Sequence, residues 1–221
     1  MLNEAIGGLL PSALAIALSP IPIVAVVLVL GGSKAATAGP AFAAGWIAGL
    51  LCVSVVVVLL LSGVSGSGED TGIDWFNVAV GVLFLLMAAK QWTKRTKPGQ
   101  EPTQPGWMAT MDSATTPRAA LLGAALSGAN PKNLALTLTA AASISEAGLD
   151  AGQTAISLAV LIALGSLTVT GSVLFYMIDA DRAARPLAAV KQFMSDNNTV
   201  IMMVVLLLLG AKLIGDGLGH L

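Results

Sequence analysis

Apolar runs long enough to cross a lipid bilayer fill most of this chain, at residues 5–32, 38–62, 74–92, 118–145, 153–178 and 197–215. A hydrocarbon core about 30 Å thick needs on the order of 20 apolar residues in a helix, so each run is read as one span, numbered one to six. The β-branched run Val53 to Val58 favours strand by local propensity, but in lipid a segment must satisfy its own backbone hydrogen bonds, which selects helix. A membrane β-barrel would alternate apolar and polar residues over segments of about ten, and no such alternation is present. Only 10% of the residues are charged, against about 25% in an average soluble domain, so no water-facing shell can be built. The predicted fold class is an all-α membrane protein of six transmembrane helices. The apolar stretch from Ala5 to Leu30 follows no basic segment and exceeds a signal-peptide core of about 7 to 15 residues, so it is read as a retained first span.

Residue counts exclude several chemistries. The one cysteine, Cys52, cannot form an intrachain disulfide or a two-thiol relay, and the one histidine, His220, cannot supply paired haem or metal ligands. No phosphate-cradling P-loop pattern occurs. All twelve carboxylates lie outside the spans or at their ends, so neither a membrane-embedded acid and base pair nor an acidic proton relay is available. A non-enzymatic protein without metal or cofactor is expected, and the formal net charge of -1 points to no nucleic-acid partner.

The distribution of charge gives a topology. Lys34, the group Lys90, Lys94, Arg95, Lys97 and Arg118, and the group Arg182, Arg185 and Lys191 fall in the joints after spans one, three and five. Glu4, Glu69, Asp70, Glu146 and Asp150 fall on the alternate side, with Lys212 alone near it. The positive-inside rule makes the basic face cytoplasmic and predicts a multi-pass membrane protein with both termini outside. The longest joint is polar and Pro-rich, yet after Pro105 the residues Trp107, Met108 and Met111 can share one helical face. An interfacial helix is expected there, a disordered linker being the alternative. The resulting division is a first three-helix repeat over 1–92, a cytoplasmic loop over 93–117 and a second three-helix repeat over 118–221.

Comparison of the chain with itself underlies that division. Ala17-Leu18-Ser19-Pro20-Ile21-Pro22 in span one matches Ala125-Leu126-Ser127-Gly128-Ala129-Asn130-Pro131 in span four, each placing Ala-Leu-Ser before an interruption. The stretch from Asp74 to Lys90 matches that from Asp196 to Lys212 in length and in its Leu-rich end. Three spans per half is an odd number, so the second copy enters from the opposite side. Inverted repeats with discontinuous helices characterise secondary transporters whose substrate sites lie near the bilayer midplane. Proline removes a backbone donor and obstructs a carbonyl one turn back, so Pro20 and Pro22 are expected to open span one, and Gly128 and Pro131 span four. The second half-helices are expected to start near Ile23 and near Leu134.

Lys132 is the one ionisable residue near the middle of a predicted span, where a charge costs on the order of 3 kcal/mol. Three outcomes remain open: it is neutral, it is solvated by broken-helix carbonyls and water, or it meets an anion from outside the chain. Two half-helix N-termini directed at the midplane would add positive potential and favour the anion. Lys132, Asn130, Asn133, Ser19 and Ser127 are therefore the candidate substrate-binding residues. Gly45 and Gly49 form a GxxxG in span two, which ordinary helix packing explains and which is also a candidate homodimer contact.

Ser19-Pro20-Ile21-Pro22-Ile23, Gly39-Pro40-Ala41-Phe42 through Gly45-Trp46, Asn130-Pro131-Lys132-Asn133-Leu134 and Leu209-Gly210-Ala211-Lys212-Leu213-Ile214-Gly215-Asp216-Gly217 together resemble the GAP or Sap proteins of actinobacteria. These are the glycopeptidolipid-addressing and sulfolipid-addressing proteins, grouped in the lysine-exporter (LysE) superfamily. The resemblance covers nearly the whole chain. It implies export of a cell-envelope lipid or glycolipid across the plasma membrane, or help in its delivery with lipid-export partners. An exporter of amino acids or other small anionic solutes satisfies the Lys132 argument equally well. A non-transporting scaffold of a lipid-export machine would need no substrate site.

Overall fold

The computed structural model describes residues 2–64, 75–93 and 114–218, and among these residues every regular element is a helix. Span one is two helices, α1 (Leu2–Ala17) and α2 (Pro20–Gly31), bent by 48°. The segments expected as spans two and three are α3 (Ala35–Val64) and α4 (Trp75–Thr93), and the segment expected as span four is again divided, into α5 (Thr116–Gly128) and α6 (Pro131–Glu146). The second half ends with α7 (Ala151–Gly165), α8 (Leu167–Ile178), α9 (Ala180–Asp196) and α10 (Asn198–Leu218).

Among the described residues two helices, Ala35–Leu59 within α3 and α10, are long and apolar enough to cross a membrane alone, and the bent pairs α1/α2 and α7/α8 raise the number to as many as four. Large apolar side chains face outward on several helices, with Ile178 83% exposed and Leu59, Leu86, Leu121 and Leu208 also exposed. Water would penalise such a surface, whereas hydrocarbon solvates it.

The prolines act differently from the expectation. Pro20 and Pro131 each occupy the first turn of the second half-helix, where a missing N–H removes no bond and the fixed φ already suits the helix. The half-helices therefore start three residues earlier than Ile23 and Leu134. Span five, expected as one helix, bends by 59° at Ser166. A Gly-Ser pair, Gly165-Ser166, marks the bend, a known site of helix kinking. The joint after span five, read as a loop for counting charge, contains the 17-residue helix α9. Asp179 starts it by accepting the Arg182 N–H at 3.0 Å, which satisfies an orphan donor of the first turn. The segment around Trp107, Met108 and Met111, and the joint with Glu69 and Asp70, lie outside the described residues.

The core centres on α3, whose Phe42, Trp46 and Leu50 are fully buried against Leu9 and Ile16 of α1, Leu136 of α6 and Leu161 of α7. Small residues set the closest approaches. A Cβ added at Gly45 would fall on the Ala120 carbonyl oxygen, one at Gly49 would strike Ala124, and one at Gly123 would strike Phe42. The GxxxG of α3 is thus filled by α5 of the same chain. This corrects the homodimer expectation for Gly45 and Gly49, because α5 occupies the surface that a partner helix would need. Gly81 of α4 likewise faces Gly210 and Ile214 of α10, the two helices running antiparallel.

Candidate functional site

An interrupted helix exposes the last carbonyls of one segment and the first N–H groups of the next, and in a membrane each needs a partner. At the end of α1 all four final carbonyls find one. The chain itself supplies Leu18 N–H to Leu14 O at 2.9 Å and Ser19 N–H to Ile16 O at 3.2 Å. The other two donors come from the second half: Lys132 Nζ donates to Ala15 O at 2.9 Å, and Thr168 Oγ1 donates to Ala17 O at 2.6 Å. Lys132 is 2% exposed. Its ammonium therefore sits at the negative end of a helix, where the peptide dipoles and a direct carbonyl bond favour positive charge. Of the three outcomes open for Lys132, this geometry supplies the broken-helix carbonyl.

The break between α5 and α6 is closed locally. Asn130 caps α6 through Oδ1, which accepts the Lys132 backbone N–H at 3.0 Å. Asn133 Nδ2 reaches back to Leu126 O at 3.0 Å, Ser127 Oγ donates to Ala124 O at 3.1 Å, and Ala129 N–H donates to Ala125 O at 2.9 Å. Gly128 lies against Gly49, where an added Cβ would meet the Gly49 carbonyl oxygen at 3.4 Å. At the first break Ser19 is buried, yet its side chain makes no capping bond to α2, and Pro20 and Pro22 are buried beside it.

Four of the five candidate residues fall into two groups, Ser19 belonging to neither. Lys132 joins the two breaks, since it belongs to the first turn of α6 and bonds the last turn of α1. Asn130, Asn133 and Ser127 serve the α5/α6 break itself. The sequence reading missed Thr168, Thr137 and Ser166. Thr168 follows the Gly165-Ser166 pair, whose helix-kinking tendency was the available signal. Thr137 lies one turn beyond Asn133, so the two share a face of α6. Among the described residues, Asn133 Oδ1, Thr137 Oγ1 and Ser166 Oγ are buried oxygens without a hydrogen-bond partner. A buried polar atom left unpaired costs about 1–3 kcal/mol, which makes these atoms candidates for binding something outside the chain.

The seam between α1 and α6 leads away from the breaks. Lys132 meets Ala15 at one end, and Gly8 meets Ser143 farther along, where an added Cβ would come within 3.1 Å of the Ser143 Cβ. There the seam opens into a cavity of about 310 Å³ lined by Glu4, Asn77, Thr139, Ser143, Lys212 and Asp216 among others. Lys212 pairs with Asp216 at its rim. A polar opening therefore lies on the same helix pair as the buried lysine, nearer the chain ends.

Residues 9–219 match the model of a protein family described as Sap, sulfolipid-1-addressing protein. No curated protein and no solved structure matches the chain.

Proposed function

The chain belongs to the Sap, sulfolipid-1-addressing protein, family, and from that premise we propose that it is a carrier, not an enzyme, which moves an anionic envelope lipid or glycolipid across the plasma membrane. In this reading the six spans form two inverted repeats, and alternating access operates around the breaks of spans one and four. The family supports a role in lipid export or addressing. The antiparallel pairing of α4 with α10 supports the inverted arrangement, because the third spans of oppositely inserted copies must run in opposite directions.

The observation that carries the proposal is a pair of oxygens on one face of α6, Asn133 Oδ1 and Thr137 Oγ1, unpartnered among the described residues and within about one and a half turns of buried Lys132. A glycolipid head offers hydroxyl donors for the asparagine and anionic acceptors for the threonine and the ammonium. Lys132 would exchange the Ala15 carbonyl for the cargo, so binding would release one of the two side-chain bonds that reach the end of α1 from the second half. Coupling cargo to that bond gives alternating access a physical cause, since a ligand shifts conformations only through contacts that differ between them.

Thr137→Val tests this directly. It removes a hydroxyl that makes no bond among the described residues, so thermal stability should hold while flipping of a headgroup-labelled anionic lipid in proteoliposomes falls about tenfold, the equivalent of 1.4 kcal/mol. Undiminished flipping in a stable Thr137→Val protein would remove the site from consideration. A second reading, the non-transporting scaffold, draws support from the carbonyl bond of Lys132, which meets the need of a buried ammonium without any cargo. It expects no flipping by the purified wild-type protein either.

A further inference from the structure

At the basic end of the molecule, away from the breaks, α9 lies on α2 and α8 and encloses a cavity of about 310 Å³. We propose that this cavity binds an anionic phospholipid of the bilayer, with acyl chain along its apolar wall and headgroup on Lys191. Leu28 and Leu30 of α2 and Leu187 and Ala188 of α9 supply that wall, while Tyr176 of α8 and Lys191 supply its polar groups.

Three observations select a lipid. First, α9 is an amphipathic helix: Ala183 and Leu187 are buried, Arg182 and Arg185 are exposed, and Val190 and Phe193 are exposed on a flank. A helix with one apolar side and a charged side settles at the boundary of headgroups and acyl chains. Secondly, the neighbouring end of α8 exposes Leu174, Met177 and Ile178, so the cavity lies next to a surface that hydrocarbon would cover. Thirdly, the charges are unequally engaged. Arg182 is paired with Asp179 at 3.1 Å, whereas Lys191 has no ion pair or side-chain hydrogen bond among the described residues. An uncommitted ammonium beside an apolar cavity at an interface complements a phosphate head attached to an acyl chain. The cavity shares no residue with the breaks, so the site stands whether or not the chain carries cargo.

The test uses full-length protein in detergent, titrated separately with phosphatidylglycerol and phosphatidylcholine, with bound lipid counted by native mass spectrometry. Wild type should retain phosphatidylglycerol preferentially, and Lys191→Gln should narrow that preference about fivefold. Ala188→Trp, which fills the cavity, should lower retention of both lipids. If circular dichroism reveals lost helix in that variant, Ala188→Leu takes its place. A preference unaltered by Lys191→Gln, or retention unaltered by a filled cavity, overturns the proposal.

Discussion

The two breaks that begin the halves differ in where their hydrogen bonds come from. The break between α5 and α6 closes on itself, with donors from Ser127, Ala129 and Asn133 meeting carbonyls of residues 124–126, and with Asn130 capping the next turn. The break between α1 and α2 depends on distant residues, taking Lys132 for Ala15 and Thr168 for Ala17, while Ser19 caps nothing. Similar local sequences thus yield one autonomous break and one that the opposite half holds shut. The dependent break is the one that can respond to events elsewhere, because its bonds cross the interface between halves.

The largest effect on this contrast should come from Lys132→Met, which leaves Ala15 O buried without a donor and should destabilise the protein by about 2 kcal/mol. Thermal unfolding in detergent measures it, and an unshifted midpoint would mean that the first break needs no help from the second half. Asn130→Ala removes the cap of α6 and should cost about 1 kcal/mol, read by the same unfolding experiment as a local loss at the autonomous break. Thr168→Val deletes the bond to Ala17 O and should cost about 0.6 kcal/mol, the average for such bonds in membranes. Combined with Lys132→Met it should depart from additivity, since both side chains hold one helical turn. Ser19→Ala should be smallest, within about 0.5 kcal/mol, because the hydroxyl that would cap α2 makes no cap bond. Equal losses for Asn130→Ala and Ser19→Ala would erase the contrast.

Much of this arrangement was legible in the chain. The breaks after Ala17 and Gly128 followed from proline and glycine at matching places, and helix followed from apolar length in a solvent without water. Lys132 stood out because mid-span charge is costly. Its partner did not, because a backbone carbonyl carries no residue-type signature and Ala15 reads as any other alanine. The bend at Ser166 was concealed for a related reason: Gly165 and Ser166 fit a membrane helix as well as they fit a kink, and only the position of Ala17 gives Thr168 its role. Helix α9 was hidden by its charges, which served to orient the chain while their spacing around Leu187 went unused. The GxxxG of Gly45 and Gly49 announced a close helix contact without saying that α5 would make it.

The donors that seal the end of α1 are encoded 117 and 151 residues after their acceptors. At roughly 5–20 residues per second, a nascent chain would present the carbonyls of Ala15 and Ala17 for on the order of 10 s before Lys132 and Thr168 exist to meet them. Biogenesis therefore has an obligatory order: the first half must be kept where water or another protein can serve those oxygens until the second half arrives. Truncation before Lys132 would leave a permanently incomplete helix end, a defect for membrane quality control to find.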